Sequence, residues 1–309
     1  MRRAVLLYNP LSGRRKSHRV ADVNDAIAVL RSADVKANAI PTQAPADIAE
    51  QVKQAVAEGY DTIFACGGDG TIHDVLQGLV GTEAALGVIP LGTGNTLAHD
   101  LRLPLSPAAA ARVALKAEPR SVAAGRITYQ GINGTPASRY FTVTVGIGVD
   151  AHLFYELNPA MKNRAGMGAY YFNAVRLWLT HPMEEFDVEL TAGDMTKCCS
   201  VSQLLAVRIR NFGGILRELA PGASLERNDL RCVLFGTRNR LAYLRYVVNG
   251  MFARQSVIAG IEAVHAERIR CQSQDATSRV FVHADGELLG TLPAEISVIP
   301  NAFRLLMPA

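Results

Sequence analysis

Three short loops in the first hundred residues carry the residue types from which a phosphate-binding edge is built. They are Asn9-Pro10-Leu11-Ser12-Gly13, Gly67-Gly68-Asp69-Gly70-Thr71 and Pro90-Leu91-Gly92-Thr93-Gly94-Asn95. Glycine lacks a Cβ, so backbone N–H groups can approach phosphate oxygens, and a helix starting after the loop adds partial positive charge. Ser12, Thr71 and Thr93 add hydroxyl donors. One such loop would be weak, since a βα turn often needs glycine for its own geometry. Three of them point to a ligand. Asp69 stands among these glycines, where a bare carboxylate would repel phosphate. Either a magnesium ion lies between the two, held by carboxylate and substrate phosphates together, or Asp69 caps the helix that follows. The run Arg14-Arg15-Lys16 either neutralises phosphate or begins a solvated helix. Near the C-terminus, Ala284-Asp285-Gly286-Glu287 reads as an Asp-Gly hairpin turn, or as a general base with an electrostatic partner two residues away.

The elements that must position these residues follow from periodicity. Ala4 to Tyr8, Val35 to Ile40, Thr62 to Ala65 and Leu86 to Ile89 read as buried strands. Between them, Val20, Val23, Ile27 and Leu30, then Ile48, Val52, Ala55 and Val56, then Ile72, Val75, Leu76 and Leu79 recur at helical spacing. Alternation of this kind predicts parallel βαβ units, whose loops after the strands share one sheet edge. Beyond Pro119 the texture turns β-rich. Strands are predicted over 120–129, 140–149, 186–190, 201–209, 230–235, 261–271, 280–283 and 295–299, with helices near 166–180 and 240–252. That order suggests an antiparallel sandwich or barrel, with a domain boundary near residue 120. Gly146-Ile147-Gly148-Val149-Asp150-Ala151 matches GxGxxA but lies outside any predicted βαβ unit, so it is read as a decoy.

Composition narrows the class. The 309 residues are 49% hydrophobic and 19% charged, enough for packed cores and too few charges for disorder. No apolar run reaches the roughly 18 residues of a membrane helix, and Ala4 to Tyr8 is too short for a secretory segment. The expectation is a soluble, cytoplasmic protein. Five cysteines without a metal-ligand spacing suggest buried free thiols. The net charge of +4 divides into +6 over residues 1–20 and −2 over the remainder. Charge gathered beside one loop suits a small polyanion better than nucleic acid, which calls for a broad basic face.

Asn-Pro-x-Ser-Gly, Gly-Gly-Asp-Gly-Thr and Pro-x-Gly-Thr-Gly-Asn, in this order and with the late Asp-Gly-Glu, resemble the diacylglycerol kinase catalytic-domain family. That family also embraces sphingosine and ceramide kinases. The resemblance runs from Asn9 to Glu287. It implies a Rossmann-like α/β nucleotide-binding domain over 1–120, a β-sandwich domain for a lipid substrate over 121–296, and a last segment, about 297–309, returning to the first domain. ATP and lipid would meet in the cleft between the domains. Nucleotide contacts are implied at Asn9, Ser12, Gly13, Thr42, Gly67, Gly68, Asp69, Gly70, Thr71, Ile72, His73, Gly92, Thr93 and Asn95, with magnesium at Asp69. Glu287 takes the place of the proton acceptor, beside Asp285. Phosphoryl transfer to a lipid hydroxyl is the leading expectation, with transient membrane-surface association through Arg2, Arg3 and the Arg14 run. An NAD kinase and a non-catalytic nucleotide-binding module are the rivals.

The chain also departs from the family. Thr96 and Ala123 or Ala124 stand where the family often has acids, which leaves Asp69 as the main acidic candidate. Arg227, within Glu226-Arg227-Asn228-Asp229-Leu230, stands where bacterial members have an acid of a structural magnesium site, so that site is not expected. His73-Asp74 replaces the common Asn-Glu.

Overall fold

The structure, a computed structural model, describes residues 1–10, 18–42, 44–156, 176, 179–214, 217–254, 256–275 and 279–308. It divides into two compact units. One holds Met1–Ala124, Asn211–Ile215 and Ile299–Ala309, the other Gly125–Arg210 and Leu216–Val298.

The first unit is an α/β layer structure. Strands β1 (Arg3–Tyr8), β2 (Lys36–Pro41), β3 (Thr62–Gly67) and β4 (Ala85–Pro90) lie in the order β2-β1-β3-β4, each pair parallel. The end of the chain's last strand joins parallel to β4, with Arg304 opposite Ala85. Every residue of β3 and β4 is buried, which is why both read as unbroken apolar runs rather than alternating ones. Helices α1 (Arg19–Arg31), α2 (Pro45–Ala57), α3 (Asp69–Leu79), α4 (Thr96–Asp100) and α5 (Pro107–Lys116) complete the unit. Val23, Ala26, Ile27 and Leu30 form the buried face of α1, whereas Val20, counted in that face by spacing, is 57% exposed. Proline at its start and Gly59 at φ +85° just past its end bound α2.

The second unit is an antiparallel β-sandwich. Its strands are β5 (Glu118–Gly131, in this unit from Gly125), β6 (Pro136–Phe141), β7 (Thr144–Gly148), β8 (Phe186–Ala192), β9 (Met195–Val201), β10 (Gln203–Val207), β11 (Leu230–Phe235), β12 (Ile261–Ala266), β13 (Arg268–Ser273), β14 (Phe281–Ala284) and β15 (Glu287–Met307, in this unit up to Val298). One face runs β12-β11-β10-β7-β14-β15 and the other joins β9, β8 and β13 to β15, which also pairs with β5. Ile127, Phe141, Ile147, Phe186, Leu204 and Ile269 fill the space between them. Helices α6 (Val149–Glu156) and α7 (Arg240–Met251) complete it. The helix expected near 166–180 falls mostly outside the described residues; of it, Arg176, Leu179 and Thr180 are helical.

Several sequence expectations for this unit are corrected. The single strand over 140–149 is two, because the N–H groups of Thr142, Val143 and Thr144 turn to the carboxylate of Asp285. The strand over 261–271 divides at Glu267: β12 pairs with β11, whereas β13 pairs with β8 and β15, so the chain changes sheets there. Strand β9 was not expected. Among the described residues it pairs only with β8, and on this edge Cys198 is exposed and Cys199 half-buried, against the expectation of five buried thiols. Gly146-Ile147-Gly148 does lead from a strand into a helix. Both neighbours of β7 are antiparallel, however, so no dinucleotide-binding βαβ unit forms. The Gly146 position is closed to a side chain, since a Cβ would fall 2.0 Å from Asp150 Oδ2 and 2.2 Å from His283 Nε2.

Arg208 is fully buried in this unit. Its guanidinium donates to the carbonyls of Leu225 (3.2 Å), Arg227 (3.3 Å) and Asp229 (3.5 Å). Burial pulls its pKa down to about 10, against the raising influence of Asp229 and Asp285, so it stays charged at neutral pH. A cation tethered to β10's end thus gathers the loop that leads into β11.

Candidate active site

Parallel pairing brings the strand ends of the first unit into register. Tyr8 lies opposite both Pro41 and Cys66, and Gly67 opposite Pro90. Thr42 N–H donates to the Tyr8 carbonyl (2.9 Å) and Leu91 N–H to that of Gly67 (2.8 Å). Asn9, Thr42 and the second and third glycine loops therefore leave the sheet at one edge. Ser12, Gly13 and the Arg14-Arg15-Lys16 run lie outside the described residues.

The second and third loops interlock. A Cβ on Gly92 would lie 2.3 Å from the Gly68 Cα, and one on Gly94 2.8 Å from Asp69 Oδ2. The glycines here are required by contact between the loops, backbone to backbone at Gly92 and backbone to carboxylate at Gly94, as well as by any ligand. Asn95 sits in the left-handed region at φ +52° and is buried. Its side chain accepts from Gly92 N–H (2.8 Å) and donates to the Gly92 carbonyl (3.1 Å), which closes the loop on itself. Thr93 and Gly94 are left exposed at the tip.

Asp69 opens α3, but it caps another helix. Its Oδ1 accepts from the N–H of Thr96 (2.7 Å) and of Leu97 (3.4 Å), and its Oδ2 from the Thr96 hydroxyl (3.2 Å). The carboxylate thus binds the start of α4 and ties the two loops together. Thr96 offers a hydroxyl where a second carboxylate would repel Asp69. Among the described residues no group of three or more His, Cys, Asp or Glu side chains gathers to hold a metal. The donor set does not fit a protein-only cage. It fits a cation that arrives with substrate phosphates and shares the Asp69 carboxylate.

The first turn of α3 leaves N–H groups of Asp69, Gly70 and Thr71 without partners inside the helix. Thr71, Ile72 and His73 are buried, so the side chains of Ile72 and His73 point into the unit. Any ligand contact at these two positions falls to the backbone. Sequence reading passed over Arg19 except as one charge of six. It is 2% exposed and donates to the Leu91 carbonyl (2.8 Å), which places a guanidinium under the third loop. Its position one turn past a basic run was the available signal. Arg3, by contrast, is engaged in the fold, bonded to the Glu58 carbonyl and lying over the Tyr60 ring.

In the second unit, β14 and β15 form a hairpin whose two-residue turn is Asp285-Gly286, with φ +50° and +84°. Positive φ at both positions matches the right-handed strand twist and suits Asp-Gly. The Asp285 carboxylate is buried and accepts three backbone N–H bonds, from Thr142 (3.0 Å), Val143 (2.9 Å) and Thr144 (3.0 Å). The two acids of the motif, expected as a base and its partner, are thus placed differently. Asp285 anchors the turn, and Glu287, exposed at the first position of β15, is the carboxylate presented to solvent. His283 on β14 lies beneath, its Nε2 3.0 Å from Asp150 Oδ2. No local pattern signals this pair, whose members are 133 residues apart.

The two units define a class, a nucleotide-binding α/β unit joined to an antiparallel sandwich, and comparison with known proteins assigns the family. The diacylglycerol kinase catalytic domain matches residues 3–127, and the YegS C-terminal NAD kinase beta sandwich-like domain matches residues 143–307. The chain belongs to the diacylglycerol kinase family, and as such is an ATP-dependent lipid kinase. It is 26% identical to a diacylglycerol kinase of Bacillus subtilis, covering 100% of this chain and 97% of that one. A diacylglycerol kinase of Mycobacterium tuberculosis (strain H37Rv) is 28% identical, over 98% of this chain and 94% of its own. The fold is similar to a crystal structure of a diacylglycerol kinase from Bacillus anthracis (TM-score 0.75, 22% identity, 99% and 96% coverage). It is more distantly similar to yeast NADH kinase complexed with NADH (TM-score 0.54, 13% identity, 100% and 84% coverage).

Proposed function

We propose that the chain transfers the γ-phosphoryl group of ATP to a hydroxyl of diacylglycerol or a closely related lipid. The observation that carries this reading is the register that brings Asn9, Thr42 and two interlocked glycine loops to one sheet edge. Backbone N–H groups of Gly68 to Thr71 and the exposed Thr93 tip bind the phosphates, with Arg19 supporting the third loop from below. A magnesium ion bound with ATP and shared with Asp69 would neutralise charge on the phosphates. Asp69 also holds the loops at their spacing, through Thr96 and Leu97. Glu287 accepts the proton of the acceptor hydroxyl, and Asp285 holds its turn. A general base of this kind contributes about 10²- to 10⁴-fold.

The test is transfer of labelled γ-phosphate from Mg-ATP in mixed micelles. The acceptors are diacylglycerol, phosphatidylglycerol and a sphingoid base, with NAD offered separately. Label in one extracted lipid supports the reading and names the acceptor. Label on NAD alone would replace it with NAD kinase. ATP binding without transfer to any acceptor would leave a nucleotide-binding module.

A further inference from the structure

Helix α7 has two apolar faces, and among the described residues only one is packed against the fold. Its inner face is held by Ala242, Tyr243 and Gly250, all buried. The Tyr243 hydroxyl pairs with that of Ser202 at 2.8 Å, and both Tyr243 and Tyr246 pack on Phe235. On the outer face Leu241, Leu244 and Val248 are 73%, 48% and 39% exposed, followed by Phe252 at 62%. Their spacing of three, four and four residues lines them along one stripe. Val257, in the segment after the helix, is 94% exposed. Single exposed apolar residues need no explanation, but a continuous stripe where a surface helix normally carries polar residues does.

The charge around the stripe is of one sign. From Gly236 to Gly260 the chain carries Arg238, Arg240, Arg245 and Arg254 and no acid. Arg238 pairs with Glu185, and Arg240 donates to the His181 carbonyl. Arg245 and Arg254 are exposed, and neither forms an ion pair with a carboxylate among the described residues. Arg254 lies over the Phe252 ring, 5.3 Å from its centre. The nearby acids Glu218 and Glu262 are paired with Arg210 and Lys197.

We propose that α7, with Phe252, Arg254 and Val257, is the docking surface for an anionic phospholipid bilayer. Leu241, Leu244, Val248, Phe252 and Val257 enter the acyl boundary, while Arg245 and Arg254 meet lipid phosphates. Charge decides against a second copy of the chain as occupant, because a two-fold contact through this face would set its arginines against their own kind. The proposal rests on the lipid-kinase reading only in giving the docked enzyme a substrate; the surface itself is read from exposure and charge.

The test is sedimentation of the intact protein with vesicles, without ATP. One set is neutral phosphatidylcholine, the other an equimolar mixture with phosphatidylglycerol. The wild type is expected to sediment with the anionic set. Arg245→Gln/Arg254→Gln should bind about thirtyfold more weakly, and Leu244→Ser/Val248→Ser roughly tenfold or more. All four positions are exposed, and each variant should retain wild-type transfer in detergent micelles. Equal vesicle binding by variants and wild type, or none by the wild type, overturns the docking surface. A wild-type dimer that either pair of substitutions dissociates would overturn it in favour of self-association. Vesicle binding lost in the variants, with no lipid phosphorylated even by the wild type, would keep the surface and remove the kinase reading.

Discussion

Asp285→Asn separates holding a turn from accepting a proton. Asparagine tolerates the left-handed backbone at φ +50°, so the substitution acts through the side chain alone. The N–H groups of Val143 and Thr144 both point at Oδ1, and that of Thr142 at Oδ2. An amide oxygen at Oδ1 keeps two of these bonds but makes them neutral, a loss of about 1 kcal/mol each. The amide nitrogen at Oδ2 cannot accept from Thr142, and one buried unsatisfied N–H costs about 1–3 kcal/mol. The sum is about 3–5 kcal/mol, a large share of the roughly 5–15 kcal/mol that stabilises a typical protein. Urea unfolding followed by far-ultraviolet circular dichroism should show the sandwich transition moving to lower urea by that amount. Glu287→Gln, at an exposed position, should leave it within about 0.5 kcal/mol. An Asp285→Asn transition coincident with wild type would refute the reasoning, because the three-amide anchor would then carry no weight.

Three further outcomes follow from the geometry. Gly92→Ala brings a Cβ to 2.3 Å from the Gly68 Cα; forcing the loops apart costs about 1–3 kcal/mol. ATP affinity in equilibrium dialysis should therefore fall about tenfold or more, and an unchanged affinity would remove these loops from the nucleotide site. Arg208→Met takes the guanidinium donor from three carbonyls, buried at Leu225 and part-buried at Arg227 and Asp229, and thermal unfolding should show a loss of about 2–4 kcal/mol. A stability equal to wild type would show that the loop of 225–229 holds itself. His181 is held near pKa 4, below the ordinary histidine value of 6.5, mainly by burial and also by neighbouring His152. Its Nδ1 accepts from Met183 N–H at 2.9 Å, which the neutral ring alone can do. Between pH 6.5 and 4 the unfolded chain binds a proton that the fold refuses, so stability falls as pH drops through that window. His181→Gln should flatten the fall in urea titrations at successive pH values, and an unaltered slope would assign it to other groups.

The parallel edge was legible because parallel strands covered on both faces must be continuously apolar. Ala4 to Tyr8, Thr62 to Ala65 and Leu86 to Ile89 are runs of that kind, each followed by glycine or proline. What the loops do to one another was not legible. The sequence offers Asp69 as a metal ligand or as the cap of its own helix, whereas in the fold its carboxylate accepts from Thr96 and Leu97, 27 and 28 residues away. For Asn95, expected as a ligand contact, the sequence does not show that its amide closes its own loop on Gly92. In the sandwich, the break at Thr142-Val143 has no local cause in 140–149. It is imposed by Asp285, some 140 residues later. The division at Glu267 likewise depends on which strands wait on either side. Long-range hydrogen bonds leave no period in a sequence, which is why the elements were readable and their joints were not.

The central claim is tested most directly by single-turnover transfer of labelled γ-phosphate from Mg-ATP to diacylglycerol, wild type beside Glu287→Gln. The account predicts transfer by the wild type, a loss of about 10²- to 10⁴-fold in the variant, and ATP binding that is the same for both. Transfer at the wild-type rate by Glu287→Gln would contradict it.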